Sequence, residues 1–231
     1  YYEMGLKYGT VLHKHGFRAP KMSSERLDFG RECVREVERV FPDVLEEIRG
    51  FADACQTSYE TLASFISSIG AFKPSECSVF SISAHSDVLF GRNYDWFYRA
   101  KGHTESYLTM PSDGYWSVGN TDIFVGREDG VNEKGLAIGM TGVMPTEVKP
   151  GINFALATRC LLDKCANVKE GVETLTNAHF LTTNSYLLAD REGNMAVVEA
   201  SPDRVRVRKP EGKDNFIVCT NHFVHPEMSE M

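Results

Sequence analysis

Apolar positions in the first third of the chain recur at the helical period. Between Glu25 and Phe51, the residues Leu27, Val34, Val37, Val40, Phe41, Val44, Ile48 and Phe51 follow it. Pro42-Asp43 breaks the run and restarts it, because proline disrupts a helix interior but fits a first turn. Ser58 offers an N-cap hydroxyl to a further run from Tyr59 to Ser68. Residues 1–76 therefore read as helical. From residue 77 the period shortens to two, predicting short β-runs at 78–83, 87–93, 105–110, 122–126, 131–141, 185–190, 195–200, 204–208 and 216–220. One helical block divides them, Phe154 to Cys165 and then Val168 to Asn177, where Asn167 and Glu170 make a capping-box-like start. Strands in two groups with helices between them predict an α+β layered fold.

The change of period falls on Cys77, which opens Cys77-Ser78-Val79-Phe80; Gly91-Arg92-Asn93-Tyr94-Asp95 closes the next run. A turn at Ala84-His85-Ser86-Asp87 makes these runs a hairpin and gathers its outer ends. Thiol, guanidinium and carboxylate are then expected to meet at one edge. A cationic neighbour lowers a thiol pKa and favours the reactive thiolate. A carboxylate there opposes that unless it holds another cation. Each residue also has a plainer reading: Cys77 as a core filler, Arg92 and Asp95 as an ordinary ion pair, Asn221 as a turn residue before Pro226.

The pattern C-S-x-F…G-R-N-Y-D resembles the N-terminal-nucleophile hydrolases of the choloylglycine hydrolase and isopenicillin N acyltransferase group, a family of linear-amide hydrolases and acyltransferases. Three further segments are similar to it: Asp129-Gly130-Val131-Asn132-Glu133-Lys134-Gly135-Leu136, Asn184-Ser185-Tyr186-Leu187-Leu188-Ala189-Asp190 with Val198-Glu199-Ala200, and Cys219-Thr220-Asn221-His222-Phe223. The resemblance implies a four-layer αββα sandwich made as a proenzyme, with residues 1–76 as helical prosegment and 77–231 as catalytic domain. It implies cleavage between Glu76 and Cys77, although Glu76 stands where acyltransferase precursors often have Gly. Cys77 is then nucleophile and, through its α-amine, base; that amine has a pKa of about 7.7–8.0 and exchanges protons near neutrality. Arg92 sits by the sulfur, Asp95 orients the amine, and the oxyanion is met by a backbone N–H near Thr141 and by the Asn221 amide. Family members continue through more sheet after the Asn221 motif, so part of the domain is expected beyond Met231.

Tyr94, Trp96, Phe97 and Tyr98 either line an acyl pocket or pack under the sheet, and Asn184 joins Tyr94, Trp96 and Phe97 as a candidate substrate contact. The expected reaction is attack of the Cys77 thiolate on a small linear amide, such as an acylated amino acid or a penicillin-type side chain. A thioester acyl-enzyme results, resolved by water or an acceptor amine. Two rivals stand beside it: a papain-like cysteine protease pairing Cys77 with His222, and a degenerate binding protein of the same fold.

Cys219, His222 and His225 have ligand-like spacing, but Pro226 breaks any helix there and no second ligand pair is evident, so no metal is expected. No cofactor is expected either; no P-loop or dinucleotide fingerprint occurs. A net charge of -7 with interspersed Lys and Arg argues against a nucleic-acid surface. No apolar run approaches the roughly 20 residues of a membrane helix. The expected partner is a small amide; prosegment and catalytic part are expected to stay associated, with homo-oligomerisation left open. Six cysteines are too few for a disulfide scaffold, so a reducing cytoplasm is the expected compartment, a trimmed signal peptide being left open.

Overall fold

The computed structural model describes residues 1–70, 76–84, 87–95, 104–145 and 147–229. Its N-terminal part is α1 (Tyr2–Lys14), α2 (Ser24–Val40), α3 (Pro42–Ala54) and α4 (Tyr59–Ser67). The restart at Pro42 is the predicted one, and the Ser23 and Ser58 hydroxyls accept from the N–H groups of Arg26 and Thr61. The strands then run β1 (Glu76–Ala84), β2 (Asp87–Asp95), β3 (Glu105–Thr109), β4 (Ser117–Thr121), β5 (Asp129–Asn132) and β6 (Ala137–Gly142). After α5 (Phe154–Lys164) and α6 (Val168–Thr176) come β7 (Asn184–Ala189), β8 (Met195–Ala200), β9 (Val205–Arg208), β10 (Phe216–Cys219) and a short α7 (Pro226–Ser229). None of these helices is long and apolar enough to cross a membrane.

Two strand expectations need correction. Residues 122–126 form a bend; the strand is the preceding Ser117–Thr121. The Thr121 hydroxyl accepts from the Ile123 N–H, and Phe124 adopts a φ of 38°, which ends extended backbone. Gly119 and Asn120 are poor strand formers, held extended by pairing with β3 and β5. The run 131–141 is two strands. Asn132 Oδ1 accepts from the N–H groups of Lys134 and Leu136, and Gly135 takes a φ of 88° that closes the hairpin. Helix α7 had no periodic signal.

The strands form a three-stranded sheet, β10-β1-β2, and a seven-stranded sheet, β3-β4-β5-β6-β7-β8-β9, all with antiparallel pairing. The two stack through Val79, Ile217 and Cys219 on one side and Leu187, Met195 and Val197 on the other. They approach closely at Gly139, where a Cβ would lie 3.0 Å from Val79 and 3.2 Å from Phe90. Phe80, Leu89, Phe216 and Val218 are exposed on the small sheet. The large sheet contributes Ile138, Leu188 and Val198 to the main core, with Leu161 from α5 and Leu175 from α6. That core continues into Val37, Ile48, Phe51, Leu62 and Ile66 of the N-terminal helices.

A buried ionic network joins these helices to α5. Arg159 donates Nε to Asp163 at 2.9 Å, Nη2 to Glu47 of α3 at 3.0 Å and Nη1 to the Val125 carbonyl at 2.9 Å. The Tyr1 hydroxyl donates to Asp163 at 2.9 Å. Asn153 caps α5 while donating to the Ile66 and Ser67 carbonyls of α4. Removing one partner of a buried ion pair leaves the other charge uncompensated, which costs about 3–5 kcal/mol. Arg159→Ala is therefore expected to lower unfolding free energy by about 3–5 kcal/mol in urea titration, well beyond the effect of an exposed pair such as Arg35–Glu32.

Candidate active site

Cys77 is the second residue of β1, whose alternation buries Cys77, Val79 and Ser81 and exposes Glu76, Ser78 and Phe80. The hairpin register sets Cys77 against Tyr94, Val79 against Arg92 and Glu76 against Asp95. Arg92 lies diagonally across from Cys77 and reaches under the small sheet. Its Nη2 donates to Cys77 Sγ at 3.4 Å, its Nε to the Met140 carbonyl at 3.0 Å and its Nη1 to Asp129 Oδ2 at 2.9 Å. Glu128 Oε2 lies 3.5 Å from Nη1, and the Tyr94 ring lies 4.8 Å from the guanidinium carbon. Burial works against the charge on Arg92, but Cys77, Glu128 and Asp129 overcome that and hold its pKa above the ordinary value.

Asp95 does not join them. It lies three residues from Arg92, and a strand's period of two sends it to the opposite, exposed face, where it accepts from Asn93 Nδ2 at 2.7 Å. The expected meeting of thiol, guanidinium and carboxylate at one edge is therefore corrected to thiol with guanidinium. Glu76 is likewise exposed, opposite Asp95.

Asn221 follows β10 and reaches Cys77 from the other side. Its Oδ1 accepts from the Cys77 backbone N–H at 2.8 Å, and its Nδ2 donates to the Gly142 carbonyl at 2.6 Å. Thr141 is buried on β6 and donates its hydroxyl to the Thr220 carbonyl at 2.7 Å, steadying the same loop. Glu199, buried on β8, accepts from the N–H groups of Val224 and His225, each at 3.0 Å, and pairs with Arg208 at 2.6 Å. His222 is exposed and its Nδ1 bonds the Thr220 hydroxyl at 3.0 Å. Among the described residues no group of three or more His, Cys, Asp or Glu is placed to hold a metal ion.

A cavity of about 550 Å³ adjoins these groups and is lined by Tyr94, Met140, Gly142 and Asn184. Its apolar wall comes from Phe65 and Ile69 of the helical part and from Phe124, Val143 and Phe154. One corner is acidic: the Tyr94 hydroxyl donates to Asp122 Oδ2 at 3.0 Å, and Glu128 lies beside Asp122. Burial first, then the Asp122 carboxyl, pushes Glu128 up to about 9. Trp96, Phe97 and Tyr98 lie outside the described residues, as do His85 and Ser86 of the hairpin turn. Sequence reasoning missed Asp122, Glu128 and the role of Asp129. Asp129 stood in a quoted motif without a role of its own, Asp122 opens the segment misread as strand, and Glu128 follows it.

Residues 83–231 match the model of the acyl-coenzyme A:6-aminopenicillanic acid acyl-transferase family, a match that begins after Cys77. No curated protein matches the chain. Among solved structures, the Caenorhabditis elegans ortholog of N-acylethanolamine-hydrolyzing acid amidase aligns with a TM-score of 0.54 at 16% identity, over 64% of this chain and 71% of that one. A mutant of conjugated bile acid hydrolase from Clostridium perfringens aligns with a TM-score of 0.48 at 19% identity, over 64% of this chain and 54% of that one. Penicillin V acylase from Agrobacterium tumefaciens aligns with a TM-score of 0.42 at 23% identity, over 66% of this chain and 46% of that one. The chain thus spans about half the length of the last two. The stacked antiparallel sheets are those of the N-terminal-nucleophile hydrolase fold, and the chain belongs to the acyl-coenzyme A:6-aminopenicillanic acid acyl-transferase family.

Proposed function

We propose that this protein is a self-processing cysteine amidohydrolase or acyltransferase acting on small linear amides. The observation that carries the reading is the placement of Arg92 Nη2 on Cys77 Sγ together with the Asn221 amide on the Cys77 nitrogen. Nucleophile, cation and an orienting amide then surround the bond to be cut. In processing, Cys77 Sγ attacks the Glu76 carbonyl carbon. The C–N bond breaks, the nitrogen leaves as the Cys77 amine after taking a proton, and Glu76 is held as a thioester. Water hydrolyses the thioester, which frees the Glu76 carboxylate and restores the thiol.

In turnover the same thiol attacks the amide substrate, with its own α-amine as proton acceptor. Once the bond is cut, Asp95, paired with Glu76 in the ladder, is to turn from Asn93 toward that amine and orient it. Asn221 and a backbone N–H beside Thr141 stabilise the oxyanion; one such donor is worth about 3 kcal/mol in other enzymes. The substrate's acyl chain lies along the apolar wall of the cavity, with Tyr94 and Asn184 contacting it. The N-terminal helices remain bound after cleavage, supported by the shared core and the Arg159 network.

Intact-mass measurement and N-terminal sequencing test the processing step. Active protein is expected to begin a chain at Cys77, and Cys77→Ala to stay whole; an uncut wild-type chain that still releases amine from penicillin V, conjugated bile salts or N-acyl amino acids would refute it. Arg92→Ala is expected to slow alkylation of Cys77 by iodoacetamide at neutral pH, because the donor that favours negative charge on sulfur is gone. Asn221→Ala is expected to lower kcat by about 10²–10³ with a smaller change in KM, read from steady-state amine release.

A further inference from the structure

Glu128 of the acidic corner bears on Arg92 at 3.5 Å, whereas the proposed chemistry of Cys77 makes no use of Asp122. Asp122 is in contact with the Tyr94 hydroxyl and the Glu128 carboxyl, and among the described residues it has no ion-pair partner. Arg92 does not serve it, being bonded to Asp129, Cys77 and Met140, with Glu128 at 3.5 Å. Arg26 also lines the cavity, but it is exposed and lies over the Phe65 ring, 5.6 Å from its centroid. Burial and the Asp122 carboxyl favour the protonated form of Glu128, which leaves the half-buried Asp122 carboxylate facing the cavity beside its apolar wall. A partly buried carboxylate there is stabilised by a cation that enters the cavity.

Two further atoms point to the missing partner. Glu128 Oε2 is buried with no hydrogen-bond partner among the described residues, its cation being Arg92 Nη1 at 3.5 Å. The Thr182 hydroxyl, in a residue only 5% exposed, lines the same cavity and is also without one. Buried polar atoms of native proteins are rarely left so. A carboxylate, a carboxyl and a hydroxyl together offer several acceptors and a net negative charge, which suits a group with several N–H donors and one positive charge.

We infer that Asp122, Glu128 and Thr182 form a subsite for an alkylammonium group, so that the amide taken by this enzyme carries a primary amine at one end of an apolar chain. The inference deepens the reading of Cys77 as an amidase nucleophile, but the subsite exists in the uncut chain and is measurable without turnover.

Isothermal titration of Cys77→Ala protein with hexylammonium, hexanol and hexanoate tests it. Hexylammonium is expected to bind at least about tenfold more tightly than the other two, the ratio given by one charge-assisted hydrogen bond. Asp122→Asn is expected to erase most of that preference and Thr182→Val, which removes the hydroxyl acceptor, to weaken it, with circular dichroism reporting that the fold is kept. If Asp122→Asn does not fold, Thr182→Val and the contrast among the three ligands decide the matter. Equal binding of hexylammonium and hexanol, or a preference untouched by Thr182→Val, overturns the subsite and leaves the proposed role of Cys77 standing. In processed wild-type enzyme, 6-aminohexanoyl amides should exceed hexanoyl amides in kcat/KM by a similar factor. Loss of turnover on both series while hexylammonium still binds refutes the amidase reading and keeps the subsite.

Discussion

The geometry of the site rests on one buried guanidinium. Arg92 leaves the small sheet, crosses to the large one and bonds a backbone carbonyl, a carboxylate and a thiol with three different nitrogens. A lysine offers a point charge and could not hold these three directions at once. The bond to the Met140 carbonyl and the ion pair to Asp129 fix where the guanidinium can be, and so where the sulfur meets it. The two sheets are thereby tied at the place where their stacking brings β1 over β6. Glycine at 139 permits that approach, since a methyl there would press on Val79 and Phe90.

Much of this was legible in the order of residues, and the failures have physical causes. Caps at Ser58 and Asn167 and the restart at Pro42 are local signals, read without knowing the fold. Strand β4 was missed because Ser117, Gly119 and Asn120 have little preference for extended backbone; their neighbours on both sides impose it. The nearness of Cys77 and Arg92 followed from the hairpin. That Asp95 must face the other way was also contained in its odd spacing from Arg92, and only the register makes it plain. Asp122 and Glu128 could not have been paired from sequence, because a bend with no period brings them together.

The cavity belongs to both parts of the chain. Phe65 and Ile69 share its lining with Tyr94 and Met140, so residues that precede Cys77 in sequence help to shape it. Glu199 has a comparable indirect part in the site: it holds the Val224 and His225 N–H groups and so anchors the loop that carries Asn221. A carboxylate fully removed from solvent is stable there because Arg208 and two backbone donors meet it.

The ionic network at Arg159 has a consequence for a chain cut in the middle. Glu47 comes from one side of the Cys77 junction and Arg159 with Asp163 from the other, all three within a shared apolar core. Once nicked, the two pieces could part only by exposing that core and abandoning buried charges together. Their separation would be slow and insensitive to dilution over ordinary concentrations, and heating would melt them in a single cooperative transition. The protein would then behave in native sizing and in thermal melting as though its backbone were still continuous.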